Sequence, residues 1–370
     1  MNAAMQSRLL TAMCGAVLAV VLCLGLWPFH VPPNDVTRLK DRNGLHFGKY
    51  STVFSSSEFR IQDARSPASG SLEIWLQPGR IWDFSTFLAF YNPENPLRFT
   101  LRQSQKSLLL RAAVPDDRHP AERVKELYVD SAFRENGPTF VTVTSGAKGM
   151  AVYIDGIVAR RRPDIQISSH AFEGRLVLGD SPMQADSWTG RLLGLSIYGR
   201  ELTAAEVRGH YDDWMQKGRP HTSADQENTA LYLFEERTGK IIHNDAGPGP
   251  NLYIPEQYAV LGQIFLETPW GEFRRSQDFW GAILKNIVGF IPFGACFYAY
   301  FSLARQAKQA ARVTVLLGFA ASLTIEVLQV FLPMRASGMM DLVTNTLGTY
   351  IGVLAFRAAR PIVAALWPVA

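Results

Sequence analysis

The chain has 370 residues, 47% of them apolar, and 37 Lys and Arg against 33 Asp and Glu, for a net charge of +4. That length allows two or three domains, and the small charge excess, gathered on no single recognition element, excludes nucleic acid as the expected partner. The three cysteines, Cys14, Cys23 and Cys296, all fall in apolar runs, so the polar part of the chain has to be stable without disulfides.

Apolar residues are unevenly distributed. Residues 9–27, 279–301, 313–332 and 339–356 form nearly continuous apolar runs, whereas 30–278 are polar and strand-like. Each run is close to the ~20 residues that cross a ~30 Å hydrocarbon core at 1.5 Å per residue. The expectation is a multi-domain membrane protein with about four transmembrane helices. Arg8 precedes the first run, Arg305, Lys308 and Arg312 follow the second, and Arg357 and Arg360 follow the fourth. Under the positive-inside rule these clusters place both termini in the cytoplasm and residues 30–278 on the opposite side. The first run, within 1–29, reads as a retained anchor ending in Trp27-Pro28-Phe29. A cleaved signal peptide is the alternative, opposed by the length of the run and by the lack of a small-x-small site.

From 44 to 200, short stretches of alternating hydrophobicity bounded by Gly, Pro, Asn or Asp read as antiparallel strands. Leu72, Ile74 and Leu76 share one strand face, with Glu73, Trp75 and Gln77 on the other. Phe140–Thr144 leads through Gly146–Gly149 into Met150–Ile154, and Asp155-Gly156 supplies a tight hairpin into Ile157–Ala159. Leu176–Leu178 and Leu192–Tyr198 complete the series, and this spacing predicts a two-sheet sandwich. A short helix follows: Thr203 and Glu206 form a capping box, and Val207, Tyr211 and Trp214 share a face expected to cover an edge of the sandwich.

Val152-Tyr153-Ile154-Asp155-Gly156, Leu176-Val177-Leu178-Gly179 and the string from Trp188 through Gly190-Arg191-Leu192 and Ile197-Tyr198-Gly199-Arg200 to Glu206-Val207 resemble the laminin-G-like, concanavalin A-like jelly rolls over about 44–215. Leu231-Tyr232-Leu233-Phe234-Glu235-Glu236, with Gly239 and Asp245-Ala246-Gly247, resembles the segment that usually opens such a domain. Here it comes last, so it is expected to fold back on the sandwich, a degenerate second module being the alternative. The resemblance implies an all-β domain over 30–255 that binds an envelope glycan or another protein, in some relatives with Ca²⁺. Asp83, Asp116, Asp117 and Asp180 are the candidate calcium ligands, although sequence spacing alone cannot show the ~6–8 converging oxygens that calcium needs. The Arg160-Arg161-Arg162 run reads as a solvated loop, with contact to an anionic polymer or lipid as the alternative. Neither a His-Glu-x-x-His nor a Gly-x-Ser-x-Gly motif is present.

After a juxtamembrane linker, 256–278, the apolar runs of 279–370 carry polar residues that lipid would not tolerate. Ser322, Glu326 and Gln329 share one helix face, as do Asp341, Asn345, Gly348 and Gly352, and with Asn286 and Arg335 they are expected to converge near the outer leaflet. Asn286 with Phe290-Ile291-Pro292-Phe293-Gly294, Glu326-Val327-Leu328-Gln329, and Arg335 before Asp341-Leu342-Val343-Thr344-Asn345-Thr346-Leu347-Gly348 resemble the VanZ-like family of bacterial membrane proteins over 280–356. The resemblance implies a bacterial cytoplasmic-membrane location, lipid contact, and an association with teicoplanin-type glycopeptide tolerance. Ala282 stands where that family commonly has Asp, and Lys285 is expected to adjust the charge by pairing with Glu326 or Asp341. Three readings stay open: a non-enzymatic envelope component with a binding sandwich; an enzyme or carrier for a lipid-linked substrate with Glu326 or Asp341 as general base; and a cluster that serves only as glue between helices.

Overall fold

The computed structural model of the chain describes residues 3–60, 69–116, 119–135, 137–167, 169–183, 185–220, 228–247, 249–269 and 277–366. Two compact units emerge, Pro32–Gly262 and a helical unit made of Met1–Val31 with Gln263–Ala370.

The first unit is a two-sheet antiparallel sandwich. Its strands are β1 (Val36–Arg38), β2 (Leu45–Phe47), β3 (Val53–Ser55), β4 (Gly70–Pro78), β5 (Phe84–Asn92), β6 (Asn95–Ser104), β7 (Ser107–Asp116) and β8 (His119–Val129). They continue with β9 (Thr139–Gly146), β10 (Gly149–Ile154), β11 (Ile157–Arg162), β12 (Arg175–Leu178), β13 (Gly190–Tyr198), β14 (Asn228–Tyr232), β15 (Ile241–Ile242) and β16 (Leu252–Tyr253). One sheet runs β1-β2-β13-β4-β9-β10-β11, with β14 also on β13, and the other runs β15-β16-β3-β12-β5-β6-β7-β8. The period-2 alternation of β4 sends Leu72, Ile74 and Leu76 inward, fully buried, to meet Leu88, Phe90, Phe99, Leu101, Leu176 and Leu178 of the facing sheet. Asp155 and Gly156 both take positive φ, 52° and 74°, as the tight β10–β11 hairpin requires.

Two details differ from the sequence reading. Helix α2 (Ala204–Lys217) has the expected capping box, but it covers the outer face of the first sheet rather than its edge. Trp214 packs with Phe140 of β9 and with Leu231 and Leu233, while Val207 meets Ala151 and Tyr153 of β10 and Tyr198 of β13. The buried face is Val207, His210 and Trp214, with Tyr211 only partly covered. The reason is polar: Glu73 on the outer face of β4 needs partners, and His210 and Tyr198 supply them. The Arg160-Arg161-Arg162 run, read as a loop, is the end of β11, an exposed edge strand whose charges discourage further strand pairing. The late segment does fold back: β14 pairs antiparallel with β13, Leu195 opposite Tyr232.

The helical unit contains α1 (Ala3–Leu26), α3 (Gln277–Phe301), α4 (Ala307–Gln329) and α5 (Met339–Leu366). Among the described residues three helical stretches, Ala4–Leu26, Trp280–Phe301 and Ala307–Gln329, are long and apolar enough to cross a membrane. The expected count of about four is therefore one too high by that measure, because Asp341, Thr344, Asn345, Thr346 and Thr349 dilute the first half of α5. Helix α4 also begins earlier than its apolar run at 313. Lys308 and Arg312 belong to the first turns of α4, where good helix formers with long stems extend the helix while keeping their charges at its end. Helices α3 and α5 approach until backbones nearly touch: a Cβ on Gly294, Gly348 or Gly352 would lie 2.0, 2.3 or 2.1 Å from the carbonyl oxygens of Thr349, Ile287 and Ile291. Val21 of α1 packs with Phe290, Phe293 and Ile325 of α3 and α4.

Candidate functional site

The polar residues singled out in the helical unit come together. Glu326, 1% exposed, accepts the Gly338 backbone N–H at 2.9 Å through Oε2. Gly338 directly precedes α5, so the carboxylate lies at the positive end of that helix, where backbone donors lack intrahelical partners. Asp341, in the first turn of α5, accepts the Asn286 amide at 2.7 Å, and Ser322 accepts the Asn345 amide at 2.9 Å. Arg335 donates through Nε to the Trp27 carbonyl at 3.0 Å and through Nη2 to the carbonyls of Trp27 and Leu24, occupying the free acceptors at the end of α1. The turn before α5 is pinned from the other side: Glu267 N–H donates to Ser337 O at 2.9 Å and Met339 N–H to Glu267 O at 3.0 Å.

Not every buried polar atom is used. Gln329 Nε2 donates to Gly25 O at 2.8 Å, and because that partner is a carbonyl the amide cannot be flipped, so its buried Oε1 is left without a donor. Asn345 Oδ1 is in the same condition. Lys285 is exposed and, among the described residues, forms no ion pair with Glu326 or Asp341. The expected charge pairing is absent because Gly338 and Asn286 already hold those carboxylates. Ala282, where the resembled family carries Asp, is exposed.

Lys285, Asn286, Glu326, Gln329, Arg335, Asp341 and Asn345 line one cavity of about 560 Å³; Ser322 stands behind it on Asn345. The rest of the lining is apolar: Val20, Val21, Leu24 and Gly25 of α1, with Val288, Gly289, Phe290 and Ile325. Among the described residues the polar lining offers charge, hydrogen bonds and two carboxylates, with no Ser, Thr, Cys or His.

Of the calcium candidates, Asp83 and Asp180 have described side chains. Asp180 is fully buried and saturated by donors: Oδ1 accepts the backbone N–H groups of Ser181 at 2.6 Å and Asp186 at 2.7 Å, and Oδ2 the hydroxyls of Ser187 at 2.6 Å and Tyr258 at 2.7 Å. Burial pushes its carboxyl up to about 7 against those four hydrogen bonds. Asp83 accepts from Thr189 Oγ1 at 3.3 Å. Asp116 ends β7, its side chain outside the described set, and Asp117 lies outside the described residues. Among the described residues no three His, Cys, Asp or Glu side chains are placed to hold a metal ion, and Asp180 in particular does not fit one.

A second surface escaped the sequence reading. The turn joining β4 to β5 presents Trp82 and β5 opens on Phe84, each 63% exposed, with Lys106 Nζ 5.1 Å from the Trp82 ring centre. Two aromatics around an Asp, directly after the Pro78-Gly79 strand end, were the available signal.

Two family models match segments of the chain. The VanZ/LLP1 family model matches residues 229–360, and that of the concanavalin A-like lectin/glucanases superfamily matches 52–208. The chain thus joins a VanZ-like segment to a concanavalin A-like sandwich, and its three apolar helices fit a membrane protein. No curated protein matches. Among solved structures, a candidate carbohydrate-binding protein of Bacteroides ovatus is 12% identical with a TM-score of 0.43, covering 60% of this chain and 61% of its own. The SAP-like pentraxin of Limulus polyphemus is 14% identical with a TM-score of 0.37, covering 62% and 94%. The CBM40 of a Ruminococcus gnavus sialidase, bound to α2,3-sialyllactose, is 12% identical with a TM-score of 0.34, covering 45% and 95%. The chain spans about 61% of the Bacteroides ovatus protein, and TM-scores of this size carry no weight for function.

Proposed function

We propose that the chain is a bacterial cytoplasmic-membrane protein that displays a glycan-binding sandwich outside the cell membrane, with both termini cytoplasmic and residues 30–278 extracytoplasmic. The match of 52–208 to the lectin/glucanases superfamily, on a chain with three helices able to span a bilayer, supports this reading. The threading follows from the basic residues at Arg8, at Arg305 to Arg312 and at Arg357. Trp82 and Phe84 form the binding platform, their exposed faces suited to stacking on sugar rings, with Lys106 beside them for an anionic substituent. Growth in teicoplanin with and without the gene tests the associated role in glycopeptide tolerance.

The direct experiment is binding of the purified full-length protein to an array of bacterial envelope glycans. Trp82→Ala should weaken the strongest signal by about tenfold, or ~1.4 kcal/mol, while the protein stays folded. Absence of binding to every envelope polymer would leave the sandwich as a protein-contact module.

A second reading draws on the lined cavity: the helical unit holds a lipid-linked envelope substrate, with Glu326 or Asp341 as the base. Glu326→Gln and Asp341→Asn should then abolish an envelope phenotype at unchanged protein level. Loss of the protein itself would point to helix–helix glue.

A further inference from the structure

The cavity of the helical unit has two kinds of wall. Val20 and Leu24 of α1 and Val288 of α3, more than half exposed at 56%, 69% and 54%, continue into its apolar side, and Gly289 opens onto free space. Its polar side carries two cations, Lys285 and Arg335, and two carboxylates, Glu326 and Asp341. Among the described residues neither carboxylate forms an ion pair with either cation, although the charge of Arg335 acts on Asp341 at longer range. Glu326 is held by the Gly338 N–H and Asp341 by the Asn286 amide, while Arg335 spends its hydrogen bonds on the neutral carbonyls of Trp27 and Leu24. Arg335 Nη1 and Lys285 Nζ have no carboxylate partner among the described residues.

Lys285 forms no ion pair and Arg335 meets Asp341 only at longer range, so beside an apolar wall an anion that joins both lowers the cost of holding them at a membrane. Free phosphate would satisfy the charges but not the apolar half of the lining, and a neutral lipid would do the reverse. We propose that the cavity binds the phosphate-bearing headgroup of a single-chain or prenyl-type membrane amphiphile, phosphate against Lys285 and Arg335 and hydrocarbon along Val20, Leu24, Val288 and Gly289. This deepens the second reading above by naming the ligand class, and it holds whether or not the sandwich binds glycan.

Gly289 provides the test. A Cβ added there meets nothing within 4 Å, so Gly289→Leu can add bulk to the cavity wall without displacing a packed neighbour. The full-length protein in detergent is titrated with hexadecyl phosphate, hexadecanol and inorganic phosphate, and bound ligand is read by native mass spectrometry. The expected result is one hexadecyl phosphate per chain, with at least about tenfold weaker binding of hexadecanol and of phosphate alone, the factor carried by one charge-assisted hydrogen bond. Gly289→Leu and Lys285→Gln should each weaken hexadecyl phosphate by a similar factor at unchanged melting temperature; Lys285 is the charge chosen because Arg335 also ties down α1. Hexadecanol binding as tightly as hexadecyl phosphate, or Gly289→Leu leaving binding intact, overturns the proposal. Both variants should leave glycan-array binding unchanged, so failure of this site and failure of the sandwich assignment read out separately.

Discussion

The sandwich and the helical unit both bury carboxylates, and they treat them differently. In the sandwich, Glu73 accepts the Tyr198 hydroxyl at 2.8 Å and contacts His210 Nδ1 at 2.9 Å, and Asp180 is enclosed by four donors. In the helical unit Glu326 and Asp341 are also held, but around them Gln329 Oε1 and Asn345 Oδ1 lack donors, and among the described residues Lys285 forms no ion pair. Buried polar groups that close on themselves fasten a fold, whereas a network left incomplete around a cavity is available for a ligand. If that contrast is real, the same kind of substitution should be expensive in the sandwich and cheap in the bundle.

The largest expected effect is Glu73→Ala. It leaves the fully buried Tyr198 hydroxyl and the His210 ring without their shared acceptor and loosens α2 from the sheet. Breaking a buried pair from one side costs roughly 3–5 kcal/mol, which should appear as a large drop in the denaturant midpoint of the sandwich transition. A drop comparable to that of an exposed ion pair would mean that the triad is incidental.

Next is the pH dependence set by Asp180. Its folded carboxyl is raised to about 7 by burial, against an unfolded value near 4. A raised folded value favours the protonated folded form, so this contribution is fully present below about pH 4 and is lost as pH rises through 7. His210 acts in the same direction: burial lowers its pKa, but the hydrogen bond and charge of Glu73 outweigh that and raise it overall, so its contribution also fades with rising pH. Three units correspond to roughly 4 kcal/mol as an upper figure. Asp180→Asn should flatten most of the slope in unfolding free energy between pH 4 and 8, leaving the smaller part from His210. A slope unchanged by the substitution removes Asp180 as its source.

These positions also mark how far the sequence could be read. The inner face of β4 was legible because Leu72, Ile74 and Leu76 alternate with polar residues, and the β10–β11 turn because Asp155-Gly156 is built for positive φ. The long hairpins β5 to β8 were not individually legible. Strands such as Phe84–Asn92 are buried on both faces for most of their length and lose the alternation that identifies a strand. Glu73 could be placed only on the opposite face of β4, because nothing local announces that His210, 137 positions later, will cover it. In the bundle, helix spacing brought Ser322, Glu326, Gln329, Asp341 and Asn345 onto shared faces, so the cluster could be foreseen. Its backbone partners could not: Gly338 N–H, Gly25 O and Trp27 O carry no signature in side-chain identity.

The smallest expected effect is Gln329→Leu. In the wild-type chain Gln329 forms one hydrogen bond to Gly25 O and leaves one buried oxygen unsatisfied. A neutral hydrogen bond contributes about 0.5–1.5 kcal/mol and an unsatisfied buried polar atom costs about 1–3. Leucine forfeits the first and removes the second, while the freed Gly25 carbonyl lies at the end of α1, where a water can take the place of the amide. The melting temperature of the full chain in detergent should therefore shift by little, in contrast to Glu73→Ala, which removes the acceptor that Tyr198 and His210 share. A loss as large as that of Glu73→Ala would show that the bundle's polar residues are fasteners too, and the distinction between the two units would fail at its most exposed point.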